Sequence, residues 1–535
     1  MARLIVLPCR LRWQMAAYLA VLIAAGLMPM ARAAERAQDA DQALLEEQLA
    51  SGEFAPAFDR AQHAQGPRRE QLLGEIAMAQ ANAGEKQAAL ATAGSMRDDV
   101  SRSQIIGELR QSSPAPRGAR GGGGMANFQP LMSLIQETVA PDTWDDVGGP
   151  GTMQQFVQGV YVDASGVVRP ALEKDAGRRL TVLRHTLEQT KVGGHVRKSS
   201  PLRKISLPKL EREIQLRLAA GRPLDEEMHV LAGLQRIQYI SAYPETGDLV
   251  IAGPAGDWTL DRENRLVSTE SGSPVVQLDD LVTILRHTFS SRNGEFGCSI
   301  NPTEAGLAKV KAFLEASSGK PLKPGQRGKW LKQVRDQLGR QDVEVYHIDP
   351  HSRVASVIVE ADYRMKLVGI GLEEGTLDVP SYLKMIKVKS GEAARPLDVL
   401  RWWFTINYDA LLTNPDRDVF EIRGQGVKVL SESEFLTATG QQVHTGQSDP
   451  LNAQFAHNFT KHFAALAAKY PVYADLRNIY DLALATSLIK TEGLADRAGW
   501  HMVCFRDPNQ YQVARGQAPK SVETVINHRV VNGVN

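Results

Sequence analysis

The chain has 535 residues, 43% of them hydrophobic and 23% charged, with 62 lysines and arginines against 61 acids. A net charge of +1 excludes any global electrostatic argument for nucleic acid, and the length leaves room for two to four domains.

Residues 1–33 have the three parts of a secretory signal peptide. Arg3, Arg10 and Arg12 precede an apolar run of about twelve residues, Ala16–Leu27, which is short of the roughly twenty that a membrane-spanning helix needs. Ala31-Arg32-Ala33 then supplies a small-x-small cleavage pattern. The expectation is export to the periplasm or cell envelope, with a mature chain starting near Ala34. A retained N-terminal anchor is the alternative. The segment holds four arginines and no acid, so its removal takes the charge from +1 to −3. No later stretch is long and apolar enough to span a membrane, which leaves peripheral envelope contact open.

Residues 34–110 read as a helical-hairpin module of degenerate tetratricopeptide-like type. LLEEQLASGEFAPAFDRA and LLGEIAMAQANAGEKQAALATA place Gly52-Glu53 and Gly84-Glu85 at the same point, 32 residues apart, with Ala57 and Ala89 in matching positions. Such a module is expected to hold an unidentified protein partner. Residues 111–126 (QSSPAPRGARGGGGMA) are a Gly/Pro-rich linker by composition.

The body, residues 127–395, reads as mixed α+β, making the whole a multi-domain α+β chain. Asn127 is placed to cap a helix that Pro141 ends. Hairpins are expected around Asp163–Gly166, Asp261–Asn264 and Asp349–Ser352, since each Asp can accept from backbone N–H groups ahead of it. Thr181–Leu187 (TVLRHTL) and Thr283–Phe289 (TILRHTF) follow the first two at similar distances. They suggest an internal duplication, with chance similarity as the alternative. Ser206 opens a helix carrying Leu210, Ile214 and Leu218, Tyr239–Ala252 reads as a hairpin, and Asn301-Pro-Thr-Glu304 reads as a helix start. Val354–Glu360 (VASVIVE) reads as a buried strand. Residues 396–535 read as an α-rich C-terminal part. There Phe455, Phe459 and Phe463 make a core stripe, and Val472–Ile489 is expected to pack against that helix as an antiparallel hairpin. Cys298 and Cys504 read as separate buried thiols in preference to a disulfide.

Several segments together carry a resemblance: LRKISLPKLEREIQLRLAAGRPL, LAGLQRIQYISAYPETGDLVIAGPAGDW, GSPVVQLDDL, CSINPTEAGL, VEADYRMKLVGIGLE, RWWFTINYDALL and FEIRGQGVKVL. Over about residues 127–535 the chain resembles an uncharacterised family of exported planctomycete proteins, known as a domain of unknown function. ANFQPLMSLIQETVAPDTWDDVGGPGTM resembles a portable element of such proteins. The resemblance implies origin and export. It brings no activity with it.

Candidate sites remain to be weighed. His347-x3-His351 has metal-ligand spacing, but Pro350 breaks the helix that spacing needs, so no metal is expected. Gly369-Ile-Gly371 with Gly375 follows an apolar run, yet Glu373 and Glu374 stand where a pyrophosphate would lie, so no cofactor is expected. Trp144, Asp145 and Asp146, with Gly148 and Gly149, form a candidate ligand or partner contact. Glu360, Asp362 and Arg364 form a second, at what reads as a strand exit, as a pocket wall or a buried ion-pair network. Residues 171–217 carry twelve cations against five acids. Arg197, Lys198, Arg203 and Lys204 are the candidate polyanion contact, and the absence of interleaved aromatics argues against nucleic acid. The leading expectation is a non-enzymatic binding or assembly protein. An envelope-polymer hydrolase with dispersed carboxylates and a polyanion-binding protein are the rivals.

Overall fold

A computed structural model describes residues 42–111, apart from 51 and 53, and most of 159–527. The expected signal peptide, nearly all of the expected linker, the expected Asn127 helix and the Trp144–Gly149 candidate site lie outside the described residues.

The N-terminal unit is helical: α1 (42–50), α2 (Phe54–His63), α3 (Gly66–Asn82), α4 (Lys86–Gly94) and α5 (Asp99–Gln111). The glycines at the two matching positions share a backbone conformation. Gly52 and Gly84 both sit at left-handed φ, 77° and 84°, where a Cβ is strained. α3 packs against α2, α4 and α5. Ala57, Ala61, Ala77, Ala89 and Ala93 are fully buried, so the helices approach closely around Leu72, Leu73 and Ile76.

The second unit mixes helix and strand as expected. Its strands are β1 (Gly159–Val162), β2 (Leu172–Lys174), β3 (Ser200–Ser206), β4 (Tyr239–Tyr243), β5 (Asp248–Ala255), β6 (Trp258–Leu260), β7 (Leu266–Ser268), β8 (Phe296–Pro302), β9 (Gln341–Tyr346), β10 (Val399–Asn407), β11 (Ala410–Thr413), β12 (Val419–Arg423), β13 (Gly426–Leu436), β14 (Gln442–His444) and β15 (Ser521–Val522). A seven-stranded sheet runs β14-β13-β10-β1-β8-β9-β15, and a six-stranded sheet runs β2-β11-β12-β4-β5-β3. Pairing is antiparallel except for β1 with β10 and β2 with β11.

Seven helices matter here: α6 (Arg179–Gln189), α7 (Leu207–Ala219), α8 (Leu278–Ser290), α9 (Glu304–Ser317), α10 (Arg327–Leu338), α11 (Arg353–Ile370) and α12 (Pro450–Lys461). After the short α13 (Phe463–Lys469) comes the long α14 (Pro471–Thr491). α11 lies on β8 and β1, α12 on β13, and α14 against α8, α11 and α13. Seventeen of the 21 residues of α14 are buried, so it is enclosed on all sides. Apolar side chains of both sheets and these helices merge into one core.

Five local expectations hold. Trp258–Ser268 is a hairpin in which Asp261 Oδ1 accepts from Glu263 N and Arg265 N, both at 2.8 Å, with Asn264 at φ 59°. Tyr239–Ala252 is a hairpin, and α7 starts after Ser206, whose hydroxyl accepts from Lys209 N. Phe455, Phe459 and Phe463 are buried, and Cys298 and Cys504 are separate buried thiols.

Others are corrected. Val354–Glu360 belongs to α11, not to a strand: Ser352 caps the helix by accepting from Ala355 N at 3.2 Å, and burial on several sides explains the continuous apolar run. Asn301 and Pro302 end β8, so the cap of α9 is Thr303, whose hydroxyl accepts from Gly306 N. The Asp349 turn leads from β9 into α11 and closes no hairpin. Residues 399–436 are strands, so the helical C-terminal part begins at Pro450. The phenylalanine stripe of α12 meets Trp402 and Phe404 of β10 and Tyr473, while α14 takes α8 and α11 as its main partners. TVLRHTL and TILRHTF are both helical, in α6 and α8, but α6 packs on β12 and α8 on α14.

Candidate functional site

The polar residues of the second unit converge along the contact between α8, α11 and α14. Spacing places Asp280, Thr283 and His287 on one face of α8. On α14, Asp475, Asn478 and Asp481 recur at three-residue intervals, and all three are buried. Arg353, the first residue of α11, bridges Asp280 and Asp475. With its amide oxygen turned toward this guanidinium, Gln277 accepts from Arg353 Nε at 3.0 Å. Arg265 Nη1 approaches Asp475 at 3.4 Å and its Nη2 meets Glu360 at 2.5 Å. Arg364 lies 3.6 Å from Glu360, 3.7 Å from Glu263 and 3.9 Å from Glu373. The result is a line of alternating charge from the core to the surface.

Burial sets the electrostatics of this line. It pushes the Asp280 carboxyl up to about 6, against the opposing pull of Arg353. Burial alone would lower Arg353, but Asp280 and Asp475 override it and hold the guanidinium above its usual range. Asp362 is fully buried and raised by desolvation, with Lys366 opposing at 2.8 Å; Lys366 also donates to Ile300 O at 3.1 Å. Glu360, Asp362 and Arg364 are thus members of ion pairs on a helix, not residues of a strand exit.

Beside this line lies a cavity of about 230 Å³, lined by Thr283, Arg286, His287, Ser290, His347, Ile348, Asp349 and Val513. Burial holds His287 below the ordinary imidazole range, and its Nε2 is sealed without a hydrogen-bond partner. His347 is exposed, at φ 58°. The hydroxyls are engaged elsewhere: Thr283 donates to Asp279 O at 2.7 Å and Ser290 to His287 O at 3.2 Å. Arg286 donates to Phe505 O and Tyr511 O, both at 2.6 Å. Among the described lining residues no hydroxyl is hydrogen-bonded to a base.

The glycines of Gly369-Ile-Gly371 and Gly375 have structural reasons. A Cβ on Gly369 would stand 2.5 Å from the Trp402 indole, and Gly371 closes α11 in a left-handed cap at φ 75°. The four cations of the polyanion candidate divide. Arg197 pairs with Asp257 at 2.7 Å and Glu226 at 3.0 Å and stacks on Trp258. Arg203 donates to the main-chain oxygens of Val196 and Lys198, and Lys204 to that of Leu187. Arg197 and Lys198 are exposed, and Arg203 and Lys204 are half-buried.

The N-terminal unit has an open groove of about 1160 Å³ along α3 and α5, lined by Gln62, Gln65, Arg69, Gln71, Met78, Met96, Arg97 and Ile105, among others. Sequence reasoning missed Arg353, Asp280, Asp475 and His287. The available signal was charge inside apolar helical runs, as in VYADLRNIYDLALA.

Residues 298–382 match a family model described as a protein of unknown function (DUF1598). The span covers β8, the α9–α10 hairpin, β9, α11 and the segment to Tyr382. No curated protein and no solved structure matches the chain. Among the described residues, no helix is long and apolar enough to cross a membrane.

Proposed function

We propose that this is an exported, non-enzymatic binding or assembly protein of the cell envelope, and that the groove of its N-terminal helical unit receives a polypeptide segment of the partner. The groove supports this reading. Its volume, about 1160 Å³, exceeds that of an ordinary small-molecule pocket. Side-chain amides of Gln62, Gln65 and Gln71 offer both donor and acceptor to peptide groups, and Met78 and Met96 adapt to varied apolar side chains. The export signal and the glycine-rich linker fit a tethered module that works outside the cytoplasm.

One observation favours the hydrolase reading. Asp280 and Asp475 converge on Arg353, and Asp280 is held near 6, as a general acid would require. Against it, both carboxylates are buried under the guanidinium, and neither lines the neighbouring cavity. The binding reading is therefore preferred.

The test is affinity capture from the envelope fraction of the source organism with three baits: the chain, the chain without residues 34–126, and a Met78→Glu variant. The expected outcome is a discrete partner held by the first and lost from the other two. A partner retained by both altered baits would reject the groove. Turnover of envelope polymer by the purified chain, abolished by Asp280→Asn, would replace the binding reading with the enzymatic one.

A further inference from the structure

Two crossings between the seven- and six-stranded sheets lie side by side. Tyr408-Asp409 carries β10 into β11, and Gly424-Gln425 carries β12 back into β13. A Cβ on Gly424, at φ 114°, would stand 2.5 Å from Asp409 N, so the two crossings are pressed together. α14 packs on β13 at this point. A Cβ on Gly426, at φ 90°, would stand 3.0 Å from Cγ of Arg477 and 3.5 Å from the Tyr408 hydroxyl oxygen. The backbone thus forgoes a side chain where the stem of Arg477 passes.

The fold makes room for Arg477 but supplies it with no counter-ion. Asp481, one turn along α14, is fully buried and already taken. Arg236 Nε donates to its Oδ2 at 3.0 Å, while Arg236 Nη2 and the Tyr408 hydroxyl donate to its Oδ1 at 3.2 and 2.8 Å. Asp409 is exposed on the neighbouring crossing and does not pair with Arg477. Among the described residues, Arg477 has no hydrogen-bond, ion-pair or ring partner. The side chain is half-buried: its Nε is sealed from solvent and its Nη end is not. Burial works against its charge, Asp481 opposes that effect, and Arg236 adds to it. A guanidinium stays protonated all the same, so Arg236, Arg477 and Asp481 together hold one positive charge in excess.

We propose that the Nη end of Arg477 binds the carboxylate group of a small ligand. The planar fork of a guanidinium matches the two oxygens of a carboxylate. One carboxylate also cancels the excess charge, whereas a phosphate dianion would leave the cluster negative. A purely structural role accounts poorly for the residue. Its stem could pack on Gly426 equally well as methionine, and a cation that meets no acceptor works against folding. The proposal does not rest on the groove of the N-terminal unit.

Thermal unfolding of the whole chain tests it, in sodium chloride, acetate and phosphate at equal pH and ionic strength. The response is the difference between parent and Arg477→Met, which cancels general salt effects. Acetate at about 0.1 M should raise the Tm of the parent by about 2 °C over chloride, as binding to the folded state does. Arg477→Met should match or exceed the parent in chloride and should not respond to acetate. Arg477→Lys keeps the charge without the fork and should respond less than the parent. Three results would overturn the proposal. A parent that responds to acetate no more than Arg477→Met has no site. A Tm for Arg477→Met several degrees below the parent in chloride would show a structural role. A larger response to phosphate than to acetate would remove the carboxylate assignment.

Discussion

α14 and the α9–α10 hairpin lie in the same unit and handle charge in opposite ways. α14 is enclosed, and each of its buried polar groups at 475, 478 and 481 meets a specific partner. Asp475 takes Arg353 and Arg265, Asn478 donates to Pro274 O at 2.9 Å, and Asp481 takes Arg236 at 3.0 Å and the Tyr408 hydroxyl at 2.8 Å. Among its described positions the hairpin buries only Gly306, and Lys309, Arg327, Lys329, Lys332 and Arg335 are exposed. Charge in the first region is a condition of folding, because a buried ion without a counter-ion costs several kcal/mol. Charge in the second is free of that duty, because water solvates it.

The comparison breaks most visibly at Arg353. Arg353→Met should destabilise the unit by about 3–5 kcal/mol, because two buried carboxylates lose their shared cation. Urea denaturation measures this, and a loss below about 1 kcal/mol would show that water reaches the pair. Asp481→Asn keeps the shape but gives Arg236 and Tyr408 a neutral partner, and should cost about 1–3 kcal/mol by the same measurement.

Asp280 sharpens the comparison through pH. Its folded-state value, about 6, lies above the ordinary carboxylate value, so between about pH 4 and 6 the folded chain binds the proton that the unfolded chain has released. Ionisation of this group therefore favours unfolding as pH rises through that window, with a slope of at most about 1.4 kcal/mol per pH unit. Below the window the penalty vanishes. The difference in stability between the chain and Asp280→Asn should change across pH 4–6 and be flat elsewhere. A flat difference throughout would mean that Arg353 keeps Asp280 ionised in both states.

Much of the local structure was legible because it is encoded locally. The Asp261 turn needs only its own side chain and Asn264, and the β4–β5 hairpin needs only Pro244–Asp248 between two apolar strands. α11 was not legible, since VASVIVE is β-branched and apolar on every side, a pattern that a buried helix and a buried strand share. The strands of 399–436 hid for a related reason. Trp402, Phe404 and Ile406 alternate, but the partners that give the alternation meaning, β1 and β13, lie far away or later in the chain. The ionic line is the extreme case: Arg353 meets Asp280 across 73 residues and Asp475 across 122. Of the residues expected at a site, Glu360 and Arg364 do sit on that line. The sequence showed them as neighbours without showing whom they would meet.

The smallest expected effect is the most discriminating. If the hairpin cations are released from structural duty, the triple variant Lys311→Glu, Arg327→Glu, Lys329→Glu should keep Tm within about 2 °C of the parent, as exposed substitutions away from packed features do. Calorimetry checks this. Unchanged stability separates the hairpin from α14 in kind, because neither Asp475 nor Asp481, both buried, could be reversed at so little cost. A drop of several degrees would instead mean that these cations support the fold, and the contrast between the two regions would be one of degree.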